Sequence, residues 1–142
     1  MGAAMAPAAM NTLIAHFNDT GTKPTDYDLI LTGDLGKLGS EILRDLMERN
    51  GYPLGENYSD CGHMIYSDNQ HTYQGGSGAG CSASVFNSYI LHQINKKVFK
   101  KVLFLATGAL LSPTTTFQGD TIPAISHAVV IECGSKTQKK EK

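Results

Sequence analysis

Apolar residues recur along the first third of the chain at spacings that predict two helices. The first stripe consists of Met10, Leu13, Ile14 and Phe17, and the second of Ile42, Leu43, Leu46 and Met47. Both sets recur every three to four residues, as on one face of a helix. We expect the first helix to begin after Pro7 and end near Gly21. The second is expected to be capped by Ser40 and to end at Gly51.

Three short apolar runs predict strands, the first two of them buried, and the continuous apolar run of the first is expected for a strand covered on both faces. They cover residues 27–32, 102–107 and 125–132. A third helix is predicted before the second run, with a stripe formed by Val85, Phe86, Tyr89, Ile90 and Ile94. The stretch 52–73 is polar and reads as a long loop with a strand only at 63–66, and 108–121 is expected to be turn and loop. His127 lies inside the last apolar run, where we expect a buried structural histidine.

The order of these elements predicts an α/β fold, a small mixed sheet flanked by helices. Residues 27–50 read as strand, turn and helix, the first two elements of a βαβ unit. A sheet of three or four strands is thin for independent stability. We therefore expect either that another chain completes the sheet or that this chain is half of a larger fold. One domain is predicted over residues 1–133, followed by a charged, disordered tail over 134–142.

The net charge of -1 conceals an uneven distribution along the 142 residues. Up to residue 95 there are four basic and ten acidic residues, and from residue 96 onward eight lysines and three acids. The lysines cluster at 96–101 and 136–142, which suits an anionic partner or membrane surface, or a solvated turn and tail. No aromatic interleaving among them suggests base stacking, since Phe99 is the single aromatic residue in the two clusters, so no nucleic-acid partner is expected. No apolar run reaches the length that spans a bilayer.

The glycine-rich turn Gly75–Gly80 precedes the third helix and could receive an anion at the helix N-terminus. It fails the dinucleotide pattern, because Cys81 and Ala83 stand where that pattern requires glycine, and it lacks the lysine of a P-loop. Two interpretations stay open: a wall of a small-anion pocket, or a turn whose glycines let the backbone pack closely against a neighbouring strand.

Cys81 lies at the start of the third helix, a position that can lower the pKa of a thiol. A nucleophile also needs a positioned base. The four candidate histidines, none in a diagnostic context, are His63, His71, His92 and His127. A small buried cysteine is the favoured interpretation. The spacing of Cys61, His63, Cys81 and Cys133 matches none of the usual zinc patterns, so no metal site is predicted, and an odd number of cysteines argues against a disulfide framework.

Gly33 and Asp34 form the turn after the first strand, at the end of the sheet where open α/β folds bind ligands. Asp34 is expected either to hold a ligand or to cap the following helix. The predicted ligand-binding set consists of Gly33, Asp34, Gly76, Ser77, Gly78 and Cys81. No catalytic residue is predicted.

Four segments resemble the stage V sporulation protein AD family of endospore-forming bacteria. They are residues 27–36 (YDLILTGDLG), 75–83 (GGSGAGCSA), 106–113 (ATGALLSP) and 122–132 (IPAISHAVVIE). The resemblance runs over residues 1–132 and implies the C-terminal half of a thiolase-like fold. Thiolase-like synthases carry a histidine in the first of the corresponding loops and a histidine or asparagine in the second. This chain has Gly33-Asp34 and Gly75–Gly80 there, so the resemblance implies a scaffold without catalytic side chains.

The resemblance implies binding of dipicolinic acid, as its calcium chelate, and no other cofactor. It also implies work with the membrane proteins of the stage V sporulation A operon, in dipicolinate uptake during sporulation and release at germination. The implied location is the periphery of the inner membrane of the developing spore. Two alternatives remain: a residual acyltransferase or condensing enzyme that uses Cys81, and a pure interaction module. Partnership with a missing N-terminal half, or self-association, is expected.

Overall fold

A computed structural model describes residues 1–134. The chain forms a four-stranded mixed sheet in the order β2-β1-β3-β4. The strands are β1 (Leu29–Thr32), β2 (Tyr58–Asp60), β3 (Lys101–Ala109) and β4 (Ala124–Glu132). β1 runs parallel to β2 and β3, whereas β4 runs antiparallel to β3. The predicted α/β class and the mixed sheet are confirmed. The tail expected to be disordered lies, from residue 135 on, outside the described residues.

Helices lie on both faces of the sheet. They are α1 (Gly2–Thr20), α2 (Gly36–Arg49), α3 (Cys61–Met64), α4 (Cys81–Val85), α5 (Leu91–Asn95) and α6 (Pro113–Phe117). A single π-helical turn, Phe86–Ile90, joins α4 to α5, so residues 81–95 form one helical segment. Short 3₁₀ turns occur at Pro24–Asp26 and Asp68–Gln70.

Side-chain alternation along the central strands divides the core into two clusters. Ile30 of β1 and Leu103 and Leu105 of β3 face α1 and α2. Leu31 and Val102 point to the other face, against the helical segment 81–95. All five are fully buried. β1 is therefore buried on both faces, as its continuous apolar run predicts.

Helix α1 begins earlier than the sequence predicts, because Pro7 lies inside it instead of before it. Its N-terminal part crosses α2 at a close contact between glycines. A Cβ added at Gly39 would lie 2.9 Å from the Cα of Gly2. The helix ends as predicted at Gly21, whose φ of 65° is left-handed.

Several local predictions are wrong. Ser40 does not cap α2 but lies buried inside it, since the helix starts at Gly36. The strand expected at 63–66 is helix α3, and the true strand, β2, precedes it. α6 forms within the stretch expected to be loop. His127 is exposed, because β4 is an edge strand and its side of the sheet is only partly covered by the described residues.

Candidate ligand-binding site

The site forms where β1 and β3 end side by side. The turn after β1 places the carboxylate of Asp34 next to Thr107 of β3, whose hydroxyl donates to that carboxylate at 2.8 Å. The same hydroxyl oxygen accepts the backbone N–H of Asp34 at 3.2 Å. Gly33 fits because a Cβ added there would lie 2.8 Å from Thr107 Oγ1. Thr107 belongs to the site, although nothing in the sequence distinguishes a threonine inside an apolar strand as a site residue.

Asp34 also holds the glycine turn. Its second carboxylate oxygen accepts the hydroxyl of Ser77 and the backbone N–H of Gly78, both at 2.9 Å. The Asp34 side chain is directed to β3 and to the glycine turn, so the expectation that it caps α2 is wrong. Only 7% of Asp34 is exposed, and its three donors compensate its charge for the loss of water.

A second buried aspartate, Asp60, binds the start of α2, which was one of the two roles expected of Asp34. Its carboxylate accepts the backbone N–H groups of Leu35 at 2.9 Å and Gly36 at 2.8 Å, where α2 begins. It also caps α3 through the N–H of His63 at 3.1 Å. Thr32 donates to it at 2.6 Å. Asp60 thus fixes the βα turn from the neighbouring strand.

Burial raises the pKa of Asp60, and these hydrogen bonds oppose the increase. Asp60 was missed because it follows a three-residue strand inside a polar stretch. The sequence around Asp60 nevertheless contains a signal for its capping role. An aspartate three residues before His63 is a typical N-cap of a short helix.

The glycines of the turn allow close backbone packing, although against α3 and not against a strand. The N–H of Gly76 donates to the carbonyl of Gly62 at 2.6 Å. Gly75 has a φ of 91°, and a Cβ there would overlap that same carbonyl. The steric interpretation of these two glycines is therefore confirmed.

Cys81 is the first residue of α4 and is buried, which confirms the favoured interpretation of a small buried cysteine over that of an activated thiol. Burial raises its pKa, and the negative charges of Asp34 and Asp60 raise it further. The helix is short and only 6% of Cys81 is exposed, so desolvation outweighs any effect of the helix N-terminus. Within residues 1–134, no histidine side chain is hydrogen-bonded to Cys81, so the chain offers no paired base there.

The six predicted ligand-binding residues do come together. Asp34 contacts Ser77 and Gly78 directly, and Gly33 is adjacent to it in the turn. A Cβ added at Gly76 would lie 3.5 Å from the sulfur of Cys81. A cleft of about 270 Å³ opens beside this group, lined by Asp34, Gly76 and Ser77 and by the start of α1.

Metal ligands and membrane-spanning helices were sought in the same described region. No three His, Cys, Asp or Glu side chains in residues 1–134 lie close enough together to hold a metal ion. None of the helices described in that range combines the length and the apolar character that crossing a membrane requires.

Comparison with known proteins gives the family. The family model described as stage V sporulation protein AD (SpoVAD) matches residues 1–132. Stage V sporulation protein AD of Bacillus subtilis (strain 168) is 50% identical over 132 residues. The match covers 93% of this chain and 39% of the relative, so the chain spans about two fifths of that protein's length. The name refers to a stage of sporulation and not to a reaction. The chain belongs to the stage V sporulation protein AD family.

Proposed function

We propose that this chain supplies part of a non-catalytic binding site for calcium dipicolinate, used in uptake during sporulation and release at germination. Family membership supports the link to sporulation. The single observation that carries the binding proposal is the convergence of the turn after β1 and the glycine turn on one buried carboxylate, Asp34. In the thiolase-like scaffold that we propose for the fold, the corresponding loops would carry the catalytic side chains.

The charge of Asp34 selects the form of the ligand. Dipicolinate is a planar dianion, and a bare dianion beside a buried carboxylate would be repelled. The calcium chelate carries no net charge, so this repulsion disappears. Calcium prefers oxygen ligands, and the carboxylate of Asp34 with the hydroxyls of Ser77 and Thr107 offers oxygens close to the cleft.

Only some of the backbone N–H groups of the glycine turn are available to bind such a ligand. The N–H groups of Gly75, Gly76 and Gly78 already have partners within the chain. In residues 1–134 the N–H groups of Ala79 and Gly80 have no such partner. We propose that these two amides, at the start of α4, receive a ligand carboxylate.

The rest of a longer protein would complete the pocket. The segment 75–95 contains no Asp, Glu, Lys or Arg, yet Ala83, Ser88 and Tyr89 of this segment are exposed. Surfaces depleted of charge are typical of the buried centre of an interface. We propose that the part of the relative without counterpart here covers this face, as an N-terminal half would. We further propose that the assembled protein lies on the inner spore membrane with the A-operon membrane proteins.

Isothermal titration calorimetry tests the binding proposal. The full-length relative and this chain are titrated with calcium dipicolinate, with dipicolinate in the presence of a calcium chelator, and with calcium alone. We expect saturable binding of the chelate to the full-length protein and much weaker binding of the free dianion. Heat from calcium alone that equals the heat from the chelate would reject dipicolinate as the ligand.

The variant Asp34→Asn tests the electrostatic step. Asparagine can accept from Ser77 and Gly78 and donate to Thr107, so the turn keeps its connections while the charge is lost. We expect the preference for the chelate over free dipicolinate to fall by about tenfold, the equivalent of 1.4 kcal/mol. The matched control is Asp68→Asn, since Asp68 is exposed and its carboxylate pairs with Lys37. An unchanged preference in Asp34→Asn would place the ligand away from Asp34.

A further inference from the structure

The two edges of the sheet differ in length and in protection. The β2 edge has only three residues and ends at Asp60, which caps α3. The β4 edge has nine residues, and its register with β3 is unbroken from Ala124 to Glu132. Strands of proteins are most often five or six residues long, and an edge without a bulge stays straight. The β4 edge is therefore suited to pair with another strand.

The flanking hydrogen bonds show which residues of β4 point outward. Pro123 accepts from Leu110 of the β3 side, and Cys133 donates to Lys100. Both are odd-numbered, and hydrogen-bonded pairs alternate along an antiparallel ladder. The even-numbered residues of β4 therefore direct their N–H and C=O groups away from β3.

One of these outward-directed backbone groups already has a hydrogen-bond partner within the chain. The carbonyl of Ser126 accepts the hydroxyl of Thr12 in α1 at 3.0 Å. This contact agrees with the outward direction, and it places α1 beside the first half of the edge. Ala128, Val130 and Glu132 remain as the outward-facing residues of the second half.

The second half of β4 lacks most of the devices that natural edge strands use against pairing. Lysine, proline and bulges are absent from Ala124–Glu132. Its apolar side chains are exposed, with 53% of Val129 and 37% of Val130 accessible to solvent. The only ionic group is Glu132, which pairs with Lys101 of β3 at 3.3 Å.

We infer that β4 pairs antiparallel with β4 of a second copy of this chain, about a twofold axis at Val130. In this register Val130 lies opposite Val130 of the second copy, and Ala128 lies opposite Glu132 of the second copy. All three outward residues therefore exchange hydrogen bonds with the second copy. Val129 then lies opposite Ile131, an apolar cross-strand pair on one face. Glu132 meets alanine and not a second carboxylate, which avoids repulsion between like charges. A two-fold interface of this kind is self-complementary, which favours a copy of the same strand over an unrelated partner.

The oligomeric state of the 142-residue chain tests the pairing, without any ligand. Proline at position 130 removes only an outward N–H, because edge strands tolerate proline on the side facing away from the ladder. Val130→Thr keeps the N–H and the branched shape and serves as the matched control. Light scattering after size exclusion is expected to give the mass of two chains for the wild type and for Val130→Thr. For Val130→Pro the mass is expected to fall by half, with an unchanged circular dichroism spectrum.

A wild-type monomer overturns the inference, and so does a dimer that persists in Val130→Pro. If Val130→Pro loses its circular dichroism signal, Val130→Lys takes its place, because a lysine at the edge opposes pairing without touching the ladder. Amide exchange measured by NMR gives an independent outcome. The N–H groups of Ala128 and Val130 are expected to exchange more slowly as protein concentration rises. Rates that do not change with concentration in the wild type contradict the pairing.

Discussion

Two buried carboxylates organise the loops at the end of the sheet, and they do so through backbone amides and hydroxyl groups. Asp34 joins the turn after β1 to β3 and to the glycine turn. Asp60 holds the start of α2 and α3. Each donor around them would lose its partner if the carboxylate were removed, and hydrogen bonds to charged groups are among the stronger ones.

Replacing Asp34 with alanine is expected to lower the free energy of unfolding by about 2 kcal/mol, since Ser77, Gly78 and Thr107 lose an ionic acceptor. Urea denaturation followed by circular dichroism measures the change. Asp68→Ala removes an exposed carboxylate and is expected to leave the urea midpoint unchanged. A loss in Asp34→Ala no larger than in the control would show that the carboxylate does not hold the turn.

The thiol of Cys81 is expected to be inert in the folded chain, because burial and two nearby carboxylates raise its pKa. Alkylation by iodoacetamide at pH 8, located by mass spectrometry, is expected to be at least about tenfold slower than in the urea-unfolded chain. Faster modification in the folded chain would revive the acyltransferase alternative.

At the level of secondary structure, the sequence predicts the elements whose apolar residues recur over long stretches. Those are α1, α2, the segment 81–95 and the strands β1, β3 and β4. It does not predict β2, α3 or α6, because elements of three to five residues have too few positions to show a periodicity. The site follows the same division. Gly33, Asp34 and the glycine turn were predicted from their places after a strand and before a helix, whereas Asp60 and Thr107 depend on tertiary contacts.

Pro7 gives a test of the start of α1, because a proline inside a helix removes one backbone hydrogen bond. Pro7→Ala is expected to raise the free energy of unfolding by about 1–3 kcal/mol, measured by urea denaturation. Pro113 stands at the first position of α6, where proline fits, so Pro113→Ala is the control and is expected to bring no gain. Equal effects of the two variants would mean that α1 does not extend through Pro7.

The stability of the fold is expected to depend on pH through Asp28, which lies at the junction of β1 and β3. The N–H groups of Lys100 and Lys101 donate to the carboxylate of Asp28 at 2.7 and 2.9 Å and lower its pKa from 3.8. A pKa that is lower in the folded state stabilises the fold above pH 3.8, and this contribution is lost as the pH falls below that value. The difference in unfolding free energy between wild type and Asp28→Asn is therefore expected to be constant near pH 6 and to shrink below about pH 4. A difference that does not change with pH would contradict this role.

At the level of the whole molecule, helices cover one face of the four-stranded sheet and leave the other face partly exposed. The face that carries α1 and α2 is closed, whereas Ile125 and Val129 of β4 stay more than half exposed on the opposite face. The charge-free segment 75–95 borders that open face. The chain spans 39% of its Bacillus subtilis relative, so the proposed pocket would lie between this part and the rest of the longer protein.

The central claim, that these loops hold calcium dipicolinate, is tested most directly by a crystal structure of the full-length relative grown with that chelate. The account predicts ligand density between the positions that match Asp34 and Gly80, with a ligand carboxylate on the amides at the start of α4. Saturating chelate bound elsewhere, with these loops empty, would contradict it.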